Sequence, residues 1–333
     1  MPKGKHDLNL PITLENLSTQ VLFLVCIAGL FLATQTIIVV LDQLEKKKFG
    51  AVLLGTMITP LCTGYPNLVV GLFGQERFQG DLVLKLNMGN NLANTSLVAG
   101  LLLLFAGPLF VRPLKGKSKK ALAALKAQYL AIFFLWLGTI ACFLLSLDGT
   151  ISRWDSVALV GIYACYQLLA YRKRGKVTKK MKMSWLFMAL VVFFLAISTW
   201  LIQYSLDALA LAMSRVDHLM EGGQLGLFLG LLTVIPESFL LLRLAFKKGS
   251  LGLNGLVGDC MVSIPLVVGL SATLTPISTH AIQSFKDSNL LPYLFLLASM
   301  TALTVLSFAK KPVPRKVGVL FIGLYLMVWF LTS

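Results

Sequence analysis

Long apolar runs alternate with short polar breaks along the whole chain, and the runs set the expected architecture. Ten of them could cross a bilayer as helices, over about 17–43, 50–74, 82–111, 121–147, 153–171, 183–213, 223–246, 251–274, 289–309 and 316–332. Roughly 18 or more apolar residues suffice for one crossing. The runs are continuous rather than alternating, which excludes a β-barrel. The run at 183–213 exceeds one straight crossing and is expected to tilt or to end early near Asp207. The first run is too long for a signal-peptide core and lacks a small-residue cleavage site, so it reads as a retained span.

The chain is 57% hydrophobic and 13% charged, with a mean hydropathy of +0.81. An all-α polytopic membrane protein in contact with a lipid bilayer is expected. The formal net charge of +16 would elsewhere suggest nucleic acid, but here the basic residues cluster at the breaks between apolar runs. Of the 30 Lys and Arg residues, 23 fall on the side reached after spans 1, 3, 5, 7 and 9. The other side holds Lys3, Lys5, Arg77, Lys85, Arg153, Arg215 and Lys286. The basic side is cytoplasmic by the positive-inside rule, which places both termini on the non-cytoplasmic side. The short loops fit a plasma (inner) membrane protein, and no nucleic-acid partner is expected.

Cys26, Cys62, Cys142, Cys165 and Cys260 stand isolated in apolar context and read as packing residues. His6, His218 and His280 lie outside the apolar runs. No metal spacing, nucleophile triad or phosphate-binding loop is present. Neither an enzyme nor a resident cofactor is expected.

Two stretches repeat one another. Leu61-Cys-Thr-Gly-Tyr-Pro66-Asn67 is followed by Gly89-Asn90-Asn91-Leu-Ala-Asn94, and Leu231-Leu-Thr-Val-Ile-Pro236-Glu237 by Gly258-Asp259-Cys260-Met-Val-Ser263. Thr63 and Thr233 both precede the proline by three residues. Further on, Leu97-Val98-Ala-Gly100-Leu101 matches Leu266-Val267-Val-Gly269-Leu270, with one residue dropped in the second copy. The repeats, about 55–101 and 225–270, lie in spans 2–3 and 7–8. Ten helices therefore divide into two five-helix halves, 1–175 and 176–333. An odd number of spans per half inverts the second against the first, a common plan among secondary transporters.

Of the 14 acidic residues, only Glu237 and Asp259 fall well inside apolar runs. A carboxylate at membrane depth costs ~2.5–3.5 kcal/mol on insertion scales, so it needs a partner or a task. No Lys or Arg lies at comparable depth, which leaves a cation. Pro66 and Pro236 are expected to break their helices and free carbonyl oxygens near Thr63 and Thr233. Asn87, Asn91 and Asn94 share a helix face, flanked by Asn90; Asp259 and Ser263 share another. Oxygen-only ligation of this kind suits a hard cation such as Ca²⁺, with Glu237, Asp259 and Asn91 as candidate ligands.

These two stretches resemble the α-repeats of the cation/calcium exchanger superfamily, which includes sodium/calcium exchangers. The family pattern is roughly G-T-S-x-P-E, then G-S-N-x-x-N, given twice. The resemblance implies a ten-helix antiporter in which Thr63, Asn91, Asn94, Thr233 and Glu237 hold ion-site positions unchanged in type. Asn67 replaces the first glutamate, Gly64 and Val234 replace serines, and Cys260 and Ser263 replace the second asparagine pair. Asp259 adds a carboxylate where the family usually has serine. Both acidic groups thus come from the second half. Ca²⁺ exchanging for Na⁺ or H⁺ by alternating access is the expected function, with inorganic cations as ligands and a monomer sufficient. A degenerate exchanger fold acting as a non-transporting sensor or scaffold is the alternative.

Overall fold

Helices occupy the apolar runs of the computed structural model, which describes residues 17–46, 59–73, 81–107, 119–172, 185–216, 223–247, 249–279, 290–309 and 313–332. They are α1 (Thr19–Lys46), α2 (Thr59–Thr63), α3 (Tyr65–Phe73), α4 (Asp81–Ala93), α5 (Ala99–Phe105), α6 (Lys119–Leu145) and α7 (Arg153–Arg172). There follow α8 (Trp185–Val216), α9 (Gly223–Lys247), α10 (Gly249–Met261), α11 (Gly269–Leu274), α12 (Leu290–Ser307) and α13 (Val317–Thr332). π-Helical turns join α4 to α5 over Asn94–Val98 and α10 to α11 over Val262–Val268. Among the described residues, 7 helical stretches are long and apolar enough to cross a membrane. The apolar α13 is shorter, at 16 residues, or about 24 Å at 1.5 Å per residue.

Of the two outcomes expected for the run at 183–213, an early end near Asp207 does not occur: helix α8 runs unbroken for 32 residues. Aspartate keeps its backbone N–H, so nothing in the main chain stops the helix there. Helix α9 likewise continues through Pro236 for 25 residues, so no break occurs at that proline. One missing N–H removes a single ladder bond, and the turns on both sides carry the helix across. The first copy does break, at Gly64 between α2 and α3, two residues before Pro66. Backbone bonds from Gly64 N to Pro60 O and from Leu68 N to Gly64 O, each 2.9 Å, hold the two pieces close to helical register.

Apolar residues form two main bodies. Helices α1 and α8 pair through Leu22, Cys26, Leu30 and Ala33 against Ile202, Leu206 and Leu209. The spacing of three and four residues marks one helix face. Ser198 Oγ donates to Ala33 O at 3.2 Å across this seam. Only 11% of the apolar window of α8 is buried within the protein, against 78% for Leu82–Phe105 and 89% for Gly252–Leu274. The pair is therefore peripheral, and the two helices with π-turns form the centre of the second body with α6, α7, α9, α12 and α13.

Close crossings fix these central helices. A Cβ at Gly89 would lie 1.9 Å from Gly226 O, and one at Gly230 only 2.2 Å from Asn90 N, so α4 and α9 meet backbone to backbone. Gly100 meets Gly318 of α13 in the same way, Gly258 meets Pro60, and Gly269 meets Leu159 and Val160 of α7. Small residues permit such approach between membrane helices. Between helices, Thr150–Ile151 and Ile277–Ser278 pair antiparallel as β1 and β2.

A buried carboxylate and amide site

The α4–α9 crossing brings Asn90 against Thr233 and Glu237, one and two turns beyond Gly230. Asn90 Nδ2 donates to Thr233 Oγ1 at 3.1 Å and to Glu237 Oε2 at 3.4 Å. From α3, Asn67 Nδ2 donates to Glu237 Oε1 at 3.3 Å and to Ser263 Oγ at 3.1 Å. Ser263 Oγ lies 3.3 Å from Asn90 Oδ1 and 3.0 Å from Asp259 O. Glu237, Asn67, Ser263 and Asn90 thus close a ring of side chains drawn from both repeats. Asn94 joins the second acid to it: its Nδ2 donates to Asp259 Oδ2 at 2.7 Å and to Asn90 Oδ1 at 3.0 Å. The two acids are thus joined through Asn90 and Asn94.

All these side chains are buried; Asn67, Asn90, Asn91, Asn94, Glu237, Asp259 and Ser263 are each 0% exposed. Glu237 and Asp259 are the only acidic or basic side chains that are buried among the described residues. Thr233 Oγ1 in addition donates to Gly230 O at 2.9 Å, back to its own helix.

The amide oxygens of Asn67, Asn91 and Asn94 have no hydrogen-bond partner. A buried polar atom without a partner costs ~1–3 kcal/mol, and three in one neighbourhood are neutral oxygen donors suited to a hard cation. Among the described residues no group of three His, Cys, Asp or Glu side chains forms a metal cluster. The acidic set here is two carboxylates, supplemented by amides and hydroxyls.

Not every expected residue joins the ring. Asn91 Nδ2 donates to Cys260 O at 3.0 Å and ties α4 to α10. Asn87 bonds its own helix at Val83 O, 2.7 Å away. The face that meets the acids is therefore Asn90 with Asn94, one turn apart, rather than Asn87–Asn91–Asn94. Thr63 closes α2, and its side chain lies outside the described residues. Pro66 and Pro236 are both buried. Gly64, where the family pattern has serine, has no room for one: a Cβ there would lie 2.5 Å from Val262 Cγ1 and 3.2 Å from Asp259 Oδ1.

The π-turns were not expected from the sequence. One begins at Asn94 itself and the other encloses Ser263 and Pro265. Such turns insert an extra residue into a helix and occur often at functional sites. Pro265 lacks an N–H and was a visible clue to irregularity. The Gly226-x-x-x-Gly230 spacing was a visible clue to the close crossing.

The family model described as sodium/calcium exchanger protein matches residues 19–172 and 182–333. No curated protein sequence matches. A solved structure of the sodium-calcium exchanger NCX_Mj soaked with 100 mM Na⁺ and 10 mM Sr²⁺ superposes with a TM-score of 0.65 at 14% identity, covering 93% of this chain and 96% of that one. The same exchanger with 2.5 mM Na⁺ and 1 mM Sr²⁺ gives 0.65 at 14% identity over 95% and 98%. Without Na⁺ and Ca²⁺ it gives 0.61 at 15% identity over 93% and 97%. Such low identity establishes a common fold, while the family match spans nearly the whole chain. The chain belongs to the sodium/calcium exchanger protein family and is an integral multi-pass membrane protein of the cation-exchanging class.

Proposed function

We propose that this protein is a secondary active antiporter that moves Ca²⁺ across a membrane in exchange for Na⁺ or H⁺ by alternating access. The observation that carries this reading is the linkage of Glu237 to Asp259 through Asn90 and Asn94, with the unpartnered amide oxygens of Asn67 and Asn94 on the same side chains, in a fully buried site drawn from both repeats. Among the described residues the two carboxylates are buried and no Lys or Arg is; buried negative charge favours a cation, and the oxygen set favours a hard one. The candidate ligands are Glu237, Asp259, Asn67, Asn90, Asn91, Asn94, Thr63, Thr233 and Ser263. The structures of NCX_Mj concern extracellular ion exchange and induced occlusion of its binding site. The common fold supports a similar cycle of exposure and occlusion here.

The proposed frame is ten crossings in two inverted halves, 1–175 and 176–333. Its support is the paired crossings. Gly89 on α9 corresponds to Gly258 on α2, and Gly100 on α13 corresponds to Gly269 on α7. Exchanging the halves maps each contact onto the other. The β1–β2 ladder adds that residues 150 and 277 lie on one face, which requires an even number of crossings between them; the proposal has four. The peripheral α1–α8 pair is the element that would slide across the core. Both termini on the non-cytoplasmic side of a plasma membrane, and a single chain sufficing, complete the reading.

Uptake of ⁴⁵Ca²⁺ into proteoliposomes under imposed Na⁺ and pH gradients tests it. Gradient-driven accumulation is expected, and folded protein that moves no cation under any gradient would reject it. Asn67 in the place of an acid favours one other reading, a non-transporting sensor or scaffold. That reading predicts saturable Ca²⁺ binding, lost in Glu237→Gln, without flux.

A further inference from the structure

Helices α12 and α13 leave a groove of about 370 Å³ between them. Its floor on α12 is Ala298 and Ala302, one turn apart, and Val317, Leu320 and Leu324 of α13 wall the far side. Every lining residue is apolar. In the proposed two-half frame the corresponding pair is α6 and α7, and it closes on two buried rings, Phe134 and Tyr166, with centroids 5.6 Å apart. The alanines of α12 leave that space open. The groove runs from Ala298 to Leu306, about 12 Å at 1.5 Å per residue. One leaflet of a hydrocarbon core ~30 Å thick spans ~15 Å. Ala298 is exposed and Leu320 is 72% exposed, so the groove opens outward to the bilayer.

One end of the groove is basic. Backbone bonds from Gly318 N to Arg315 O at 2.9 Å and from Val319 N to Lys316 O at 3.1 Å continue α13 backward by a turn. Lys316 is exposed and stands one turn ahead of Leu320, at the mouth beside Val305 and Val317. Arg315, also exposed, lies beside the end of α5: its Nη2 is 3.7 Å from where a Cβ of Gly107 would stand. Residues 288–333 contain no Asp or Glu, and neither do 82–147, which hold α5 and α6. No carboxylate of these elements competes for the two cations. We propose that the groove holds one acyl chain of an anionic phospholipid, with the lipid phosphate at Lys316 and Arg315. An apolar slot at bilayer depth takes a hydrocarbon chain, and basic residues at its mouth select a negative headgroup. Orientation of the chain in the membrane accounts for basic residues at a helix end. It does not account for an apolar slot that ends at them. Such binding needs only that α12 and α13 cross a bilayer and does not depend on antiport.

The test is native mass spectrometry of the intact protein in detergent, titrated with palmitoyl-oleoyl phosphatidylglycerol or with phosphatidylcholine of the same chains. One phosphatidylglycerol is expected to bind about 30-fold more tightly than phosphatidylcholine, from two cations at about fivefold each. Lys316→Gln should cost about fivefold of that preference, and Lys316→Gln with Arg315→Gln should leave the two lipids equal. Ala302→Phe fills the floor and keeps both cations. Binding of the first phosphatidylglycerol should then fall about tenfold, as expulsion of two methylenes from the slot would cause. Equal affinity for the two lipids in the natural protein overturns the proposal, and so does a preference that survives in the double variant. Unchanged binding in Ala302→Phe overturns it as well, leaving a basic surface patch without a lipid slot. If Ala302→Phe misfolds on gel filtration, Ala298→Leu at the exposed end of the floor decides the same point. Protein that binds the lipid in this way but moves no Ca²⁺ would reject antiport and leave the lipid site standing.

Discussion

Asn67 and Glu237 both follow a proline, both are fully buried, and they touch at 3.3 Å; one is neutral and the other acidic. The first repeat brings amides to the site: Asn67, Asn90, Asn91 and Asn94. The second brings both acids and the described hydroxyls: Glu237, Asp259, Thr233 and Ser263. The ring needs both sets, since amide N–H groups donate and carboxylate oxygens accept. The difference teaches that an internally repeated site can keep its geometry while moving its charge to one side. What the two halves share is position; what they divide is chemistry.

The sharpest way to break this comparison is Glu237→Gln. It removes half of the site's negative charge and leaves one carbonyl oxygen, which can accept from Asn67 or from Asn90, while its NH₂ takes the place of the other acceptor. Transport is expected to fall by about 100-fold or more, the size of losing one charged ligand to a cation in a dry site at a few kcal/mol. Folding is expected to be preserved, because a neutral amide replaces a buried acid of equal size. Uptake and a thermal melt on one preparation separate the two effects. A Glu237→Gln variant with normal ⁴⁵Ca²⁺ uptake would remove the acid from the mechanism.

The double variant Asn67→Glu with Glu237→Gln sharpens the comparison further. It moves the acid across the ring while holding the count at two carboxylates. If position is shared and only charge matters, uptake should recover to within about tenfold of the natural protein, a residual ~1.4 kcal/mol for imperfect geometry. If the double variant is as inactive as Glu237→Gln alone, the two positions are not interchangeable.

Much of the site was legible because polar residues at membrane depth are rare and expensive. Glu237, Asp259 and the asparagines stood out for that reason, and duplication supplied their register. The helix ends were legible from apolar length. Three things were not. The sequence places Pro66 and Pro236 alike, yet only the first repeat breaks, and it does so at Gly64. Proline supplies a missing bond in both copies; the Cβ-less Gly64, lodged against Val262 and Asp259, adds a second local weakness in one. The π-turns escaped notice because these two spans are buried on nearly all sides, at 78% and 89% of their apolar windows; with no exposed polar face to set a phase, a change from 3.6 to more residues per turn leaves no trace in the pattern. Nor did the pattern show that Asn90, rather than Asn87, meets the acids: both lie in α4 ahead of the π-turn, and the close α4–α9 crossing at Gly89 and Gly230 decides between them.

Asn94 offers a smaller test on the neutral side. Its Nδ2 holds Asp259 Oδ2 at 2.7 Å and its Oδ1 is unpartnered. Asn94→Ala removes both a donor that orients the acid and a neutral oxygen. Apparent Ca²⁺ affinity is expected to fall about tenfold, in keeping with ~1.5 kcal/mol for a hydrogen bond to a charged group. The maximal rate should change less than the affinity. Concentration dependence of uptake distinguishes this from a loss of folded protein, which would lower the rate alone.

The smallest expected effect lies where the site meets the peripheral helices. Tyr65 stands two residues before Asn67, and its hydroxyl lies 2.6 Å from Thr199 Oγ1 of α8 and 3.5 Å from Leu195 O. This bond ties the break in the first repeat to the helix proposed to slide. It must be exchanged for another partner if α8 moves past α3. Tyr65→Phe keeps the ring and deletes the hydroxyl, a change of about 1 kcal/mol in the stability of this one arrangement. A helix pair that slides should then move more readily from it, and the uptake rate should change two- to fivefold while apparent Ca²⁺ affinity stays put. If affinity shifts and rate does not, Tyr65 acts on the ring through Asn67, and the peripheral pair is a passive wall.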